Sequence, residues 1–264
     1  MVQPIITLTT DFGLKDSYVA EMKAVIFGLN RNVAIVDVSH EIDKFNIRMG
    51  AYILASAAPY FPDGTIHVAV IDPTVGSGRR AILIETERAF FVGPDNGVFA
   101  LACRKNAIRH VYEITNMRVM LQVVSSTFQG RDLFAPAAAH LADGLPAKEF
   151  GPEIRRIVRP EFARIIRKRN AIIGKVIHVD DFGNIVTSFQ ETDFSRIKRE
   201  NYVNVKLGDS MLKLKFCKTY AEVKKRAPLI IIGSHGFLEL AMNAGNAAKA
   251  FGLKGGDKVV FYLS

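Results

Sequence analysis

The chain has 264 residues, of which 49% are hydrophobic and 23% are charged. This length and balance predict one large or two smaller folded domains and exclude a disordered chain. The net charge of +9 raises nucleic-acid binding as a hypothesis, but much of the excess lies in residues 153–169, whose single aromatic residue is Phe162. Such a run is more typical of a solvated face or linker than of a base-stacking surface, so nucleic acid is not an expected partner.

The cysteines and histidines give no sign of a disulfide framework or a metal site. Cys103 and Cys217 lie far apart, and none of the six histidines has a ligand-like spacing to another. Residues 1–18 lack the layout of a signal peptide, and no apolar run reaches the roughly 18 residues of a membrane span. We therefore expect a soluble, cytoplasmic protein without a bound metal.

The first half of the chain alternates strand-like and helix-like segments. Hydrophobic periodicity predicts helices over 17–30, 47–58 and 134–143. Short apolar and β-branched runs predict strands, with the last two close enough to form a hairpin: 5–10, 34–38, 66–71, 81–85 and 89–92. This alternation predicts an α/β domain with a mainly parallel sheet.

The second half is richer in strand-like runs separated by turn residues. One helix is predicted over 238–251. The predicted strands are 172–179, 185–189, 202–207, 211–216, 229–232 and 258–263. The pattern predicts a β domain of barrel or sandwich type. We expect an N-terminal α/β domain over 1–158, a basic linker over 159–170 and a C-terminal β domain over 171–264.

Two acidic side chains follow predicted strands in the first half. Asp11 stands at a strand end, where a carboxylate would either hold the two hydroxyls of a ribose or cap the next helix. Asp72 begins a loop that also contains Arg79 and two glycines. This acid–guanidinium pair would either take part in chemistry or form a surface salt bridge that holds a turn. Because a strand follows, the glycines do not form a dinucleotide-binding fingerprint.

Residues 127–132 form a second polar loop in this half, directly before a predicted helix. Gly130 would let a ligand approach the backbone closely, whereas Asp132 is as suited to capping or ion pairing as to chemistry. Asp95 begins an Asp-Asn-Gly turn, which we interpret as structural.

Two loops of the second half combine polar groups with glycine. Residues 179–184 would bind an ammonium group, stack a base and hydrogen-bond to its edge, or would form an ordinary hairpin. Residues 233–236 would present a hydroxyl and backbone amides to a carboxylate at the start of the predicted helix, or would form a turn. Patterns alone therefore stop at a two-domain enzyme or ligand binder.

Seven motifs occur together in one order along nearly the whole chain. They begin at Thr9, Ile35, Ile71, Pro94, Thr127, Asp181 and Asn243 and read TTDFG, IVDVSH, IDPTVGSGRR, PDNG, TFQGRD, DFGN and NAGN. In this combination the chain resembles the SAM hydroxide adenosyltransferase family, relatives of the fluorinase and chlorinase that make 5′-halo-adenosines. The resemblance implies an N-terminal α/β domain, a C-terminal β-barrel and a homotrimer with sites at the subunit interfaces.

The resemblance also implies the activity, in which S-adenosyl-L-methionine (SAM) reacts with water to give adenosine and methionine. SAM is then the substrate, and no cofactor is expected. Asp72 and Arg79 match two members of an Asp–Arg–His set that positions and activates the water, and Gln129 stands where the His is expected. The substrate-binding matches are Asp11 for the ribose, Asp180 and Ser234 for the methionine, Phe182, Asn184 and the Ala244 backbone for the adenine, and Phe128.

Gln129 departs from the family pattern, because an amide side chain orients water but does not accept a proton at neutral pH. Asp72 would then supply the basicity, and turnover would be slower than in a relative with His. An alternative is a SAM- or adenosine-binding protein with impaired catalysis. A halogenase is a second alternative, which the short connection after the loop 72–80 disfavours, because the fluorinase carries an extended loop there and lacks the acid–Arg pair.

Overall fold

A computed structural model describes residues 3–194 and 202–262 of the chain. The chain divides into two compact units, Met1–Arg159 and Pro160–Ser264. Each unit has a hydrophobic core of its own. Among the helices of the described ranges, none combines the length and the apolar character that crossing a bilayer requires.

The N-terminal unit is built on a six-stranded sheet. Its strands are β1 (Ile5–Thr10), β2 (Ala34–Ser39), β3 (Thr65–Val70), β4 (Ala81–Thr86), β5 (Ala89–Pro94) and β6 (Ile108–Glu113). They lie in the order β2-β1-β3-β5-β4-β6. The pairs β2–β1, β1–β3 and β3–β5 are parallel, whereas β5–β4 and β4–β6 are antiparallel. The predicted α/β class, the mainly parallel sheet and the 81–92 hairpin are confirmed.

Helices accompany this sheet and bury its central strands. They are α1 (Tyr18–Leu29), α2 (Ile47–Ala57), α3 (Ala102–Lys105) and α4 (Ala135–Ala142). Every residue of β3 is buried, as expected for a parallel strand covered on both faces. The helix predicted over 134–143 is preceded by a π-helical turn, Gly130–Phe134. Such turns are rare and recur at functional sites.

The chain changes direction across the sheet between β1 and β3. After β1 it passes through α1 to β2 on one side, and then through α2 to β3 on the other side. Ligands of open α/β sheets bind at the carboxyl ends of strands at this kind of switch point. Thr10 pairs with Val70 in the parallel register, so the residues after the two strands leave the sheet side by side.

The C-terminal unit is a closed β-barrel. Its strands are β7 (Ile166–Lys168), β8 (Ala171–Val179), β9 (Ile185–Gln190), β10 (Tyr202–Leu207), β11 (Ser210–Cys217), β12 (Pro228–Ile232), β13 (Phe237–Met242) and β14 (Lys258–Tyr262). Seven strands follow one another from β14 to β8, and the pairing of β14 with β8 closes the ring. Phe189, Phe194 and Phe261 pack edge to face inside it. The predicted β-barrel is therefore confirmed.

The helix predicted over 238–251 is wrong. Residues 237–242 form β13, which pairs with β12 and β9, and only α5 (Ala247–Phe251) is helical. This stretch contains good helix formers, but Leu238 and Leu240 are buried inside the barrel, and that pairing overrides local propensity. Residues 233–236 are consequently a hairpin turn, closed by the hydrogen bond from Gly233 N–H to Phe237 O at 2.8 Å.

Two edge strands were not predicted. The burial of β6 does not alternate, and β7 is three exposed residues within the segment 159–170.

The basic side chains of residues 153–169 are exposed, as a solvated charge run requires. The strand predicted over 258–263 ends at Tyr262, and residue 263 lies outside the described residues.

Candidate active site

Asp11 and Asp72 lie at the switch point of the sheet. Asp11 directly follows β1, and Asp72 follows β3 after one further residue. The register that pairs Thr10 with Val70 brings these two strand ends together. Both carboxylates line one cleft of about 400 Å³, a volume in the range of small-molecule sites. The other residues that line it are Phe12, Asp16, Tyr18, Lys44, Phe45, Val70, Val75, Thr127, Phe128, Gln129 and Gly130.

The three residues predicted to be catalytic are in direct contact. Arg79 Nε donates to Asp72 Oδ2 at 2.8 Å, and Arg79 Nη2 donates both to the same oxygen and to Gln129 Oε1. The side chains of Asp72 and Arg79 are only 4% and 10% exposed. A buried guanidinium thus joins a carboxylate to an amide, and it fixes both at the cleft.

The loop that carries Asp72 and Arg79 packs closely against the loop that carries Gln129. Gly76 has a φ of 78°, and a Cβ at this position would lie only 2.7 Å from the carbonyl oxygen of Ser126. A glycine is therefore required both for the backbone conformation and for the approach of the two loops.

The Asp11 carboxylate is buried and held on one side. Its Oδ2 accepts the backbone N–H of Phe45 at 2.8 Å, and Lys44 Nζ donates to its backbone carbonyl oxygen. Phe45 has a φ of 65°, an uncommon backbone conformation for a bulky side chain. No other hydrogen bond to this carboxylate comes from the described residues. The second oxygen is thus available to a ligand hydroxyl.

An aromatic cluster forms one wall of the cleft. The ring centroids of Phe128 lie 5.7 Å from Phe12 and 5.1 Å from Tyr18, in edge-to-face arrangements. The Arg131 guanidinium stands 5.0 Å from the Phe128 ring and also binds Asp132. Phe128 is therefore fixed at the cleft, in a position to contact a bound nucleoside.

Two other acids of the same unit have structural partners. Asp132 is 1% exposed and accepts hydrogen bonds from Arg131 and from the backbone N–H of Ser125. Asp95 is paired with Arg80 and accepts the Val158 N–H at 2.7 Å. These contacts confirm the structural interpretation of the Asp95 turn, and they satisfy Asp132 within the protein.

In the C-terminal unit, the loop between β8 and β9 holds three of the predicted binding residues. Asp180 accepts hydrogen bonds from the backbone and the side-chain amide of Asn184, at 2.7 and 2.9 Å. Phe182 is 80% exposed at the tip of this loop. Gly183 has a φ of 83°, and a side chain there would overlap with Asn246. An exposed ring beside a fixed amide suits base stacking and edge recognition.

The remaining predicted residues of this unit lie on turns next to β13. Ser234 belongs to the hairpin turn before β13. The prediction of a helix start at this position is therefore wrong, and the backbone amides here belong to a turn. Ala244 follows β13 with a φ of 50°, a strained conformation for a residue with a side chain. Strain of this kind is concentrated at functional sites.

Sequence reasoning missed Glu239, which β13 places beneath the Ser234 turn. Burial, reinforced by the nearby charge of Asp180, raises the pKa of Glu239 to about 7, although the Tyr220 hydroxyl donates to it at 3.3 Å. A Cβ on Gly233 would overlap with this carboxyl group. The sequence pattern does not indicate Glu239, because it predicts a helix for the segment that forms β13.

Among residues 3–194 and 202–262, no group of three potential ligands is arranged to bind a metal ion. Both cysteines are free.

The chain is similar to named proteins over nearly its whole length. A protein described as (R)-S-adenosyl-L-methionine hydrolase from Methanocaldococcus jannaschii is 39% identical over 93% of this chain and 90% of its own. A protein of the same name from Thermus thermophilus is 37% identical over 98% and 99% of the two chains. A fluorinase from an Actinoplanes species is more distant, with 26% identity over 96% and 95%.

A solved structure supports the fold. The crystal structure of an uncharacterized conserved protein from Thermotoga maritima has a TM-score of 0.87 and 34% identity, and covers 97% of this chain and 99% of its own. The family models for the SAM hydroxide adenosyltransferase N-terminal and C-terminal domains match residues 6–151 and 174–260. These matches span most of both units, and the chain belongs to the SAM hydroxide adenosyltransferase family.

Proposed function

We propose that this chain cleaves (R)-S-adenosyl-L-methionine with water at the ribose C5′ carbon, giving adenosine and L-methionine. Full-length relatives at 37–39% identity carry the name of this activity. The observation that carries the proposal is the contact of Asp72 with Arg79, and of Arg79 with Gln129, at a cleft that Asp11 also lines.

The chemistry asks mainly for positioning. A water oxygen must approach C5′ opposite the sulfur, roughly 3–3.5 Å from the carbon. The C–S bond breaks with its electron pair, so the sulfonium leaves as the neutral thioether of methionine and needs no acid. The attacking water must lose a proton. Asp72 is the acceptor in this proposal, because neither the Arg79 guanidinium nor the Gln129 amide accepts a proton at neutral pH.

The substrate-binding roles are divided between the two units. We assign the ribose hydroxyls to Asp11 and a nucleoside contact to Phe128. In the barrel unit, Asp180 and Ser234 bind the methionine portion, and the adenine contacts come from Phe182, Asn184 and Ala244. The uncommon backbone conformations at Phe45 and Ala244 support this assignment, because strained residues are retained where a ligand needs them.

We propose a homotrimer in which neighbouring subunits supply the two sets of binding residues to each site. One exposed aromatic side chain that lines the cleft and another at the tip of the β8–β9 loop support this, because aromatic side chains contribute strongly where a ligand or a partner covers them. Phe45 is 66% exposed and Phe182 is 80% exposed. Light scattering that gives the mass of a single 29.2 kDa chain would contradict the proposal.

A halogenase is disfavoured by the position of Asp72. A carboxylate at the cleft repels a halide ion, and β4 begins at Ala81, directly after the Arg79 loop. A binding protein with impaired catalysis is favoured by one observation, the amide of Gln129 where the family has His.

Product analysis separates these three functions. Incubated with SAM, the purified protein is expected to release adenosine and methionine in equal amounts, with and without chloride. A 5′-chloro-nucleoside that forms only with chloride would indicate a halogenase, and its absence together with intact SAM would indicate a binding protein. Asp72→Ala, incubated in parallel, controls for spontaneous breakdown of SAM.

Gln129→His is expected to raise kcat by roughly 10- to 100-fold, at or just below the 10²-fold lower end of what a positioned general base contributes. Arg79 lies against this position and would keep the imidazole neutral, and therefore able to accept a proton. The measurement is kcat from pH 5 to 9 for both proteins. The variant should lose activity at acid pH, where the imidazole is protonated. An unchanged rate and profile would remove Gln129 from the site.

A further inference from the structure

A chain of polar contacts runs from the protein surface to the strand end that carries Asp11. Lys23 Nζ lies 2.6 Å from Asp37 Oδ2, and Asp37 Oδ1 lies 3.0 Å from His40 Nε2. His40 Nδ1 is 2.8 Å from Thr10 Oγ1, which also accepts the backbone N–H of Phe12 at 3.2 Å. His40 and Thr10 are 3% and 0% exposed. Asp37 and His40 belong to the IVDVSH motif, to which the proposed function gives no role.

The chemistry of the partners indicates which atoms donate and which accept along this series of polar contacts. Although burial alone would raise it, the contacts with Lys23 and His40 lower the pKa of Asp37, so this carboxylate is ionised and only accepts. The Asp37 oxygen 3.0 Å away would repel an unprotonated ring nitrogen, so we infer that His40 Nε2 carries the proton, although this contact does not have hydrogen-bond geometry. A neutral imidazole with its proton on Nε2 has none on Nδ1, so the Thr10 hydroxyl donates to Nδ1 while its oxygen accepts the Phe12 N–H. His40 is held as the Nε2–H tautomer.

His40 also binds the other end of the same short loop. Its backbone carbonyl accepts the N–H of Gly13 at 2.7 Å. Asp11 therefore lies between two fixed points, because Thr10 before it is held by the imidazole and Gly13 after it is held by the His40 carbonyl. A displacement of either point would move the Asp11 carboxylate away from the position at which Phe45 N–H meets it.

We propose that His40, oriented by Asp37 and acting through Thr10, is a positioning residue that fixes the Asp11 carboxylate for recognition of the ribose hydroxyls. The inference rests on the proposed function for the identity of the ligand. His40 does not line the cleft and contacts no reacting atom, so its effect is on nucleoside binding and not on the chemical step.

The same unit contains a matched pair that serves as a control. Thr7 Oγ1 and His67 Nδ1 are also 2.8 Å apart, and both residues are 0% exposed. Thr7 lies in the middle of β1, three residues before Thr10, which is about 10 Å along a strand. A Thr–His hydrogen bond at this distance from the strand end stabilises the sheet without holding the Asp11 loop.

The experiment compares Thr10→Val with Thr7→Val and with Thr10→Ser, which keeps the hydroxyl. Thr10→Val removes the contacts of Oγ1 with both His40 and the Phe12 N–H, and is expected to raise KM for SAM and the Kd of adenosine by at least about tenfold, the equivalent of one lost hydrogen bond, with kcat within about threefold. Thr10→Ser and Thr7→Val should keep both constants near those of the unchanged protein. Methionine inhibition should not change in any of them, because Asp11 faces only the ribose.

Histidine variants separate the two sides of the imidazole. His40→Asn places an amide oxygen where Nδ1 accepts from Thr10, and should retain adenosine binding better than His40→Gln, whose longer amide reaches toward Asp37. Melting temperatures report folding separately. Equal adenosine affinity in Thr10→Val and Thr7→Val would overturn the proposal, as would a loss of kcat without a change in KM.

Adenosine binding by calorimetry does not require turnover. Failure to cleave SAM with adenosine binding intact would therefore refute the proposed hydrolysis and still test the role of His40. A protein that neither cleaves SAM nor binds adenosine would refute both.

Discussion

Asp72→Asn is expected to lower kcat for SAM hydrolysis by about 10²- to 10⁴-fold, the usual contribution of a positioned general base. The amide has the size of the carboxylate and can still accept the Arg79 hydrogen bond at 2.8 Å, but it takes no proton from water. KM should stay within a fewfold, because Asp72 acts on the water and not on the nucleoside. Steady-state kinetics with quantification of adenosine measures both constants.

Asp95→Asn is the matched control, because Asp95 also accepts a hydrogen bond from a neighbouring arginine and is 5% exposed. It accepts a backbone N–H as well, so this variant should lose stability and retain kcat. Equal losses of kcat in the two variants would mean that Asp72 is a structural partner of Arg79. A loss confined to Asp72→Asn would support its catalytic assignment.

The free energy of unfolding of the N-terminal unit is expected to fall by about 3 kcal/mol between pH 7 and pH 4, because of His67 alone. Burial lowers the pKa of His67 from 6.5 to about 4, and the ring stacks on Phe91 at a centroid distance of 5.1 Å. Between these two pH values the unfolded chain binds a proton that the folded chain does not. Stability from this group is complete above pH 6.5 and is lost as the pH falls toward 4.

Denaturant unfolding followed by circular dichroism at several pH values measures this dependence. His67→Asn keeps an acceptor for Thr7 but does not titrate, so its stability should vary less with pH even if it is lower throughout. His140→Asn removes a histidine that is only partly buried, and should retain the full dependence. A His67→Asn slope equal to that of the unchanged protein would refute the assignment.

The architecture of the N-terminal unit could be predicted because its strands and helices bury whole faces. The strand predicted over 66–71 became β3, every residue of which is buried, and α1 lies within the predicted helix. The strands of the barrel were harder to predict from the sequence. Residues 237–242 contain helix formers, and only their pairing with β12 and β9 makes them a strand. Edge strands such as β7 bury no face, so they leave no hydrophobic pattern to detect.

The sequence predicts the types of residue at the candidate site, but it does not show which of several loop acids belong to it. The sequence presents Asp11, Asp72, Asp95 and Asp132 as acids on loops of similar composition. Only the tertiary structure separates them, because Asp95 and Asp132 are satisfied by neighbours, whereas Asp11 and Asp72 line the cleft. Glu239 became visible only with the strand that carries it.

By itself, the sequence determined the fold class and the local chemistry of each loop, since these depend on residues that are near one another along the chain. It also determined the family, since seven short motifs occur in one order. The tertiary structure decided which loops meet. The parallel register of Thr10 with Val70 joins two strand ends that are 60 residues apart, and the hydrogen bond from Arg79 to Gln129 spans 50. Such contacts form only when distant segments pack, because the bonding partner of a polar group is set by the fold and not by its neighbours in sequence.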